Sequence, residues 1–412
     1  MVYQEGITDR FVVYSALAAV AVYLVINPLA NSLLILSALA AIYVLSRNFK
    51  VLLCDLSGAE LAWIFTVLLY PMSFFYAYLM YGSKIDAETF VEFYRLSFLA
   101  VILFLVFRKS EVLTSTNIKI AVALFAGLTG ALGVYYWFSQ GGVRITVGTP
   151  LINMYALLMT VATGLVMLFA LSEYRHNYRW CYIFCFCVAG GGVFASGSKS
   201  AILALIGVFL ALSASTVFRN RHCVKTLLIL LSPLILIGFI MNPFSRLETL
   251  ISNVETYADQ PGIEVSEDSS TQQRIQMYRA AISAIQAEPL FGIGTWRLGE
   301  IFPELLEQGG LSAATKRYVH VHNELLQAWM TRGLPGLILL LMLFLAPLWG
   351  IQHRCSFCKG CISTVLFVYM VFAMFEAPLN ATVSYAFFMM LISLLLACKT
   401  GAQGINSESF ES

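Results

Sequence analysis

Residues 151–172 read LINMYALLMTVATGLVMLFALS, an apolar stretch without a single acidic or basic side chain. A helix of about 20 apolar residues is long enough to cross the hydrocarbon core of a bilayer. A helix on the surface of a soluble protein would instead carry a charged face along its length. The stretch therefore predicts a membrane-spanning helix.

The rest of the chain repeats this pattern, since 59% of the 412 residues are hydrophobic and only 12% are charged. That charged fraction is about half of what soluble domains carry. The apolar runs lie near residues 11–27, 31–46, 60–82, 93–107, 119–138, 151–172, 180–196, 200–218, 226–241, 335–352, 360–377 and 382–398. Runs of this length indicate helices, because the strands of a membrane barrel alternate over about ten residues. We therefore expect an all-α polytopic membrane protein with about twelve transmembrane helices, surrounded by membrane lipids. The net charge of +2 indicates no nucleic-acid partner.

The distribution of lysine and arginine predicts the orientation, because short cytoplasmic loops are rich in both. With the N-terminus inside, the short inner segments hold fourteen of them: Arg10, Arg47, Lys50, Arg108, Lys109, Lys119, Arg175, Arg179, Arg219, Arg221, Lys225, Arg354, Lys359 and Lys399. The short outer segments hold four: Lys84, Arg95, Arg144 and Lys199. This excess predicts that both termini are cytoplasmic.

The segment 242–334 is too long to be a simple connection, and loops of that size are usually functional or disordered. In the predicted orientation it lies outside, between spans nine and ten. We therefore divide the chain into transmembrane helices one to nine (1–241), a large helical outer loop that holds any catalytic groups (242–334), helices ten to twelve (335–398) and a cytoplasmic tail (399–412).

Two helices are predicted inside this loop. Ser269-Ser270-Thr271 offers caps for the first, which ends at Pro289. Ile275, Tyr278, Ile282 and Ile285 fall at helical spacing and form an apolar stripe, which would either pack on the membrane domain or lie at its surface. A second helix is expected from about His320 to Gly333, before Pro335 opens the next span.

Two of the five histidines lie in the outer loop, within the segment His320-Val-His322-Asn-Glu just before a span. An imidazole titrates near neutrality and can take a proton from a hydroxyl. Near the membrane the pair could meet a substrate carried on a lipid, so each is a candidate general base. The alternative is a histidine that caps a helix or binds a lipid headgroup.

Three basic side chains are expected near the outer membrane rim. Lys199 falls between two spans with almost no loop, where a charge is costly unless it faces a cavity or headgroups. Arg144 precedes span six, and Arg274 stands at the start of the first loop helix. Together they would suit a pyrophosphate through charge-assisted hydrogen bonds, whereas each alone would be an interfacial side chain that reaches for water.

Four segments resemble the bacterial O-antigen ligases, within the wider superfamily of ligases and O-antigen polymerases. They are Arg144-Ile-Thr-Val-Gly148, Gly197-Ser-Lys-Ser-Ala201, Ser270-Thr-Gln-Gln-Arg-Ile-Gln-Met-Tyr278, and Val319-His-Val-His-Asn-Glu324 followed by Gly333-Leu-Pro-Gly336. The twelve-span layout and the single large periplasmic loop are similar too, and the likeness is strongest from about 140 to 350.

The resemblance implies roles for individual residues. The histidine essential in the family precedes an asparagine, hence His322, which would deprotonate a sugar hydroxyl. Arg274 matches an arginine that holds the donor pyrophosphate, and Arg144 matches a basic position often seen in the family. Lys199 departs from the family's arginine, because lysine keeps the charge and loses the planar two-pronged grip on phosphate.

Three neighbours of His322 are supporting candidates by position: His320, Asn323 and Glu324. Glu324 either orients His322 or faces solvent, and we favour solvent. The carboxylates of the outer loop include no Asp-x-Asp pair, which agrees with a site that needs neither a metal nor a cofactor.

The implied reaction is the transfer of O-antigen polysaccharide from undecaprenyl pyrophosphate to a sugar hydroxyl of lipid A–core, in lipopolysaccharide biosynthesis. It takes place on the periplasmic side of the inner membrane of a Gram-negative bacterium. Cations would stabilise the charge that develops on the pyrophosphate leaving group. Attack by a single acceptor hydroxyl would invert the anomeric centre.

Other functions fit parts of the same evidence. An O-antigen polymerase would use the same donor with a second lipid-linked glycan as acceptor. A transporter would share the span count, but transporters usually carry buried charges or broken helices in matched halves, and Glu376 is the only acid deep in the second half. A non-catalytic membrane scaffold would leave the histidine pair without a role.

Overall fold

The computed structural model describes residues 5–173, 176–217, 221–241, 270–295, 297–298, 304 and 320–398. Within these ranges the α-helices are α1 (Ile7–Val22), α2 (Asn27–Leu53), α3 (Gly58–Leu69), α4 (Met72–Tyr81), α5 (Lys84–Phe107), α6 (Ser115–Ser139), α7 (Ile152–Ser172), α8 (His176–Ser196), α9 (Lys199–Val217), α10 (Arg221–Met241), α11 (Ser270–Ala287), α12 (Glu324–Gly350), α13 (Ser356–Ala373) and α14 (Thr382–Ala397). Short 3-10 helices follow α12 and α13 at Ile351–His353 and Pro378–Asn380, and no described residue is in a β-strand. Most of the predicted outer loop and the whole predicted tail lie outside the described residues.

The described helices make a multi-pass membrane protein, as the apolar runs predicted. Eight helical segments are long and apolar enough to cross a bilayer: α2, the α3–α4 pair, α5, α6, α7, α8, α12 and α13. All twelve predicted runs overlap a helix, but the apolar parts of α9, α10 and α14 are shorter, and α1 has 16 residues. The count of twelve spans and the orientation therefore stay predictions.

Local sequence explains where several helices begin and end. Ser57 and Glu60 form a reciprocal cap at the start of α3, in which the Glu60 amide donates to the Ser57 hydroxyl over 3.2 Å. The predicted run 60–82 is divided into α3 and α4 at Pro71, because proline cannot donate the hydrogen bond that would continue a helix. Gly82 ends α4 in the left-handed conformation with a φ of 68°.

The helix α7 lies at the centre of the bundle. Of its most apolar stretch 89% is buried, compared with 28% for α2, and it packs against α6, α8, α9 and α13. Since lipid tails are as apolar as the helices, close packing and small residues hold a membrane bundle together. Gly130 on α6 illustrates this, because a Cβ there would lie 2.7 Å from the backbone oxygen of Val188 on α8.

Arg144 and Lys199, two of the three predicted cations, lie at the same end of the bundle because the segment before α7 packs against the short connection between α8 and α9. α8 ends at Ser196 and α9 begins at Lys199, with Gly197 between them at a φ of 60°. The segment before α7 lies against this turn, since the Ile145 amide donates to the Ala195 carbonyl and the Arg144 Nε donates to the Ser196 carbonyl over 2.9 Å. The predicted very short connection between these two helices is thus confirmed.

The kink in α12 receives the glycine-containing turn that follows α11. Gly333 leaves the helical conformation with a φ of 64°, and Pro335 has no N–H to offer to the Thr331 carbonyl. That carbonyl accepts instead from the amide of Gly294, and the Met330 carbonyl accepts from the amide of Ile293. The predicted helix before Pro335 is confirmed, with its start at Glu324 instead of His320.

The face of α11 that packs against other helices differs from the predicted apolar stripe. The face that packs against α12 and its surroundings consists of Met277, Ala280, Ala281, Ala284 and Ile285. Ile282 is 46% exposed, although it belongs to the predicted stripe. Alanines permit closer approach of the two helices, so the buried face follows small residues and is rotated away from Ile282.

We predict that Gly130→Ala lowers the thermal unfolding midpoint of the detergent-solubilised protein. The new methyl would press on the backbone of α8, and such overpacking costs about 1–3 kcal/mol. Gly127→Ala on the same helix is the matched control, because its Cβ would meet only the Cys185 Sγ at 3.6 Å, an ordinary contact. The control should unfold at or above the wild-type temperature. Equal midpoints for the two variants would contradict the close packing of α6 on α8.

Candidate functional site

The carboxylate of Glu376, in the turn after α13, is the centre of the site. Its Oε2 lies 2.8 Å from the Nδ1 of His322. Its Oε1 accepts from the Nη2 of Arg274 over 2.9 Å and from the Nδ2 of Asn153 over 2.6 Å. Glu376 is only 3% exposed, and a buried carboxylate is costly unless its oxygens are paired. Both oxygens are paired here, so α7, α11 and the segments before α12 and after α13 meet at one side chain.

Glu376 was not among the predicted site residues. The available signal was its position as the sole acid in an apolar region, since ionisable residues in such regions usually serve a function. The sequence offered no indication that it would pair with His322 and Arg274, which are 54 and 102 residues away.

His322 has an unusual backbone conformation for a side chain of its size. Its φ is 53°, in the left-handed region that residues other than glycine rarely adopt. The Tyr278 hydroxyl of α11 lies 3.1 Å from the carbonyls of both His322 and Met374, and its single hydrogen can be donated to either one. Strained residues kept in place by their surroundings cluster at functional sites, which supports a functional role for His322.

The contact with Glu376 assigns the hydrogen of the His322 ring. A carboxylate only accepts, so Nδ1 carries a hydrogen. In the neutral imidazole Nε2 then keeps a lone pair. A carboxylate behind the imidazole also stabilises the imidazolium that forms when the ring takes up a proton. This arrangement is compatible with the general-base role predicted for His322.

Three consecutive residues contact the same turn after α13. His322 binds Glu376, as described above. Asn323 donates from its Nδ2 to the Met374 carbonyl over 3.2 Å, and its Oδ1 caps α12 by accepting from the Leu326 amide. Glu324 accepts from the Leu379 amide over 2.9 Å. The segment His322–Glu324 thus fixes the turn that carries Glu376.

The expectation that Glu324 faces solvent is wrong. Its side chain is fully buried, and its Oε2 is taken by the backbone of Leu379. The carboxylate contact recorded for His322 is made by Glu376. The amide of the 3-10 turn satisfies Oε2, whereas Oε1 is buried without a hydrogen-bond partner among the described residues. Spacing along the sequence does not reveal this contact.

The ring of His320 lies against that of His322, with 4.1 Å between the centroids and an angle of 47° between the ring planes. Burial, and next the neighbouring His322, lower the pKa of His320 from 6.5 to about 4. The His320 ring is therefore neutral at pH 7 and adds no positive charge beside His322.

The three predicted cations and His322 line one cavity of about 230 Å³. Its walls come from Arg144, Asn153, Gly197, Ser198, Lys199, Ser200, Gln273, Arg274, Met277 and His322. Lys199 begins α9, and the start of a helix presents backbone N–H groups that favour anions. The cavity therefore combines an imidazole with the charge and donors that suit an anionic group.

A metal ion is the other chemistry that this cluster permits. The ligand atoms of His320, His322 and Glu376 all lie within 4.8 Å of one another, and two histidines with one carboxylate are a donor set that zinc accepts. Glu376 is already engaged by Arg274 and Asn153, so a metal would have to compete with these donors. A metal-free site remains our prediction.

Comparisons with known proteins agree with the resemblance seen in the sequence. Residues 183–341 match a family model described as O-antigen ligase, and this segment includes Lys199, Arg274 and His322. The chain is also similar to an uncharacterized protein of Haemophilus influenzae, with 23% identity over 324 residues that cover 76% of this chain and 78% of the relative.

We predict that His320 makes the stability of the protein depend on pH in a defined window. Because its pKa is lowered in the folded state, the unfolded chain binds more protons below about pH 6.5, and stability is lost as the pH falls from about 6.5 to about 4. In His320→Gln this part of the loss should be absent. The measurement is the thermal unfolding midpoint of both proteins across that range. A constant difference between them would contradict the lowered pKa.

Proposed function

We propose, because residues 183–341 match a family model described as O-antigen ligase, that the chain transfers O-antigen polysaccharide from undecaprenyl pyrophosphate to a sugar hydroxyl of lipid A–core. The observation that carries this proposal is the cavity where His322, backed by Glu376, lies beside Arg144, Lys199 and Arg274. A base beside cations is what a transfer from a pyrophosphate to a hydroxyl requires.

In the proposed reaction His322 takes the proton of the acceptor hydroxyl through Nε2. The acceptor oxygen attacks the anomeric carbon of the donor and forms the new glycosidic bond, while the bond from that carbon to the pyrophosphate oxygen breaks. Glu376 holds the ring and stabilises its protonated form. A single displacement of this kind inverts the anomeric centre.

The leaving group is undecaprenyl pyrophosphate, and its developing charge is stabilised by the cations of the cavity. Arg274 and Lys199 have the leading role, and Arg144 contributes from the segment that lies against the start of α9. Donors already in place as charge develops lower the barrier more than donors that must rearrange. This arrangement supplies the charge stabilisation that a metal would otherwise provide.

The proposal places the cavity on the periplasmic side of the inner membrane of a Gram-negative bacterium, with both termini in the cytoplasm. The excess of lysine and arginine in the opposite short loops supports this orientation. Segment 242–334 is then the periplasmic loop that carries Arg274 and His322, between helices one to nine (1–241) and ten to twelve (335–398).

The test is transfer by the purified protein in lipid vesicles that contain the undecaprenyl-linked donor. Lipid A–core is the acceptor in one reaction and a second lipid-linked glycan in the other, each with and without EDTA. We expect product on lipid A–core at the same rate in both conditions. Product only on the lipid-linked glycan would instead identify an O-antigen polymerase, and loss of transfer with EDTA would contradict the metal-free site.

We predict that His322→Ala lowers kcat in this assay by about 100-fold or more, the range that general bases contribute. Expression level and unfolding midpoint should stay near those of the wild type, which separates a lost base from a lost fold. Transfer at the wild-type rate by the variant would refute the assignment of His322.

We predict that Lys199→Ala raises the KM for the donor about tenfold or more, because a charge-assisted hydrogen bond to the pyrophosphate is lost. Lys84→Ala is the matched control, since Lys84 also begins a helix directly after a serine but pairs with Glu88 at the surface. Lys199→Arg should keep the donor KM near the wild-type value. A donor KM unchanged in Lys199→Ala would remove Lys199 from the phosphate site.

A further inference from the structure

A second cavity, of about 400 Å³, lies beside the first and has a different chemistry. Four segments form its walls: the first half of α5, the residues just before α7, the turn after α11, and the residues from Asn380 into α14. Its volume is within the roughly 300–1,000 Å³ usual for sites of small molecules.

The polar groups of this second cavity are hydroxyls, an amide and a carboxylate: Thr89, Glu92, Thr149, Thr295, Asn380 and Thr382. No lysine, arginine or histidine is among the described residues that line it. It therefore offers nothing to hold a pyrophosphate. Hydroxyls, amides and carboxylates are the partners that sugar hydroxyls need, because each of those hydroxyls both donates and accepts.

One of these groups has no hydrogen-bond partner in the part of the chain that the structure describes. The hydroxyl oxygen of Thr295 is shielded from solvent and makes no hydrogen bond among the described residues. A buried hydroxyl without a partner is costly, so a ligand hydroxyl that paired with it would remove that cost. The Thr295 amide donates to the Asp86 Oδ1 over 3.1 Å, which fixes the turn against α5.

Two short stretches of chain connect the second cavity with the first. Leu151 lines the second cavity, and Asn153, two residues later, lines the first and binds Glu376. Glu376 binds His322, and Asn380, four residues later, lines the second cavity. Since consecutive Cα atoms are about 3.8 Å apart, both connections are short enough for one oligosaccharide to reach from one cavity to the other.

We infer that the second cavity is a saccharide-binding subsite, which holds sugar units next to the bond that forms at His322. The inference rests on the proposed function and adds to it a place for neutral sugars, apart from the cationic place for pyrophosphate. Positioning of this kind brings the reacting hydroxyl within reach of the base. Sugars of the acceptor core and sugars of the donor polysaccharide share the chemistry that this subsite recognises.

The test is direct binding of lipid-free oligosaccharides to the full chain in nanodiscs, followed by saturation-transfer NMR. One probe is the delipidated core oligosaccharide, and the other is a delipidated O-antigen repeat. The variants are Glu92→Ala and Thr295→Val, with Glu88→Ala as the matched control. Glu88 is an exposed residue one turn earlier on α5 that does not line this cavity.

We expect one probe to bind wild type and Glu88→Ala equally, and to bind Glu92→Ala and Thr295→Val about tenfold more weakly. Binding of the core probe identifies the acceptor as the source of the sugars, and binding of the O-antigen probe identifies the donor. The inference is overturned if neither probe binds wild type, or if both variants bind as the control does. Binding does not require turnover, so a wild type that binds a probe but transfers nothing would refute the proposed function and leave the saccharide subsite standing.

Discussion

The buried carboxylate of Glu376 imposes the constraint from which the arrangement of the site follows. Three donors, from Asn153, Arg274 and His322, share its two oxygens. Removal of one partner from a buried ionic cluster costs more than the contact contributes, because a desolvated charge is left without compensation. Four segments of the chain are therefore held together by the need to satisfy one side chain. The same contacts that place the imidazole also hold the loop helix α11 to the membrane helices.

The sequence His322-Asn323-Glu324 acts as a unit because its three residues have three different backbone conformations. His322 is left-handed, Asn323 is extended with a φ of −155°, and Glu324 begins α12. Consecutive side chains of a strand point to opposite faces, and those of a helix are rotated by about 100°. Neither regular conformation would let three neighbours reach one turn. The strained φ of His322 is thus the local condition for the contacts with Glu376, the Met374 carbonyl and the Leu379 amide.

Much of the fold could be predicted because the length of an apolar run is a local property. All twelve predicted runs overlap a helix, and the loop helix α11 ends at Ala287, two residues before the proline predicted to stop it. The buried face of α11 could not be predicted from a local property, because it depends on which other helix packs closely against the alanines of α11. For the site, the resemblance predicted four residues that line one cavity, namely Arg144, Lys199, Arg274 and His322. The partner of His322 was missed, because hydrogen bonds across 54 residues leave no spacing to recognise.

The lysine at position 199 is easier to understand once its place at the start of α9 is known. An arginine would bring both charge and directed N–H groups to a phosphate, whereas lysine brings a compact charge that donates without a fixed geometry. The first turn of a helix supplies directed backbone N–H groups of its own, and Gly197 to Ser200 line the same cavity as Lys199. Arg144 and Arg274 provide two planar guanidinium groups there as well. In the proposed phosphate site the direction of the donors can therefore come from the helix and the arginines, so that a lysine at position 199 would need to supply only positive charge.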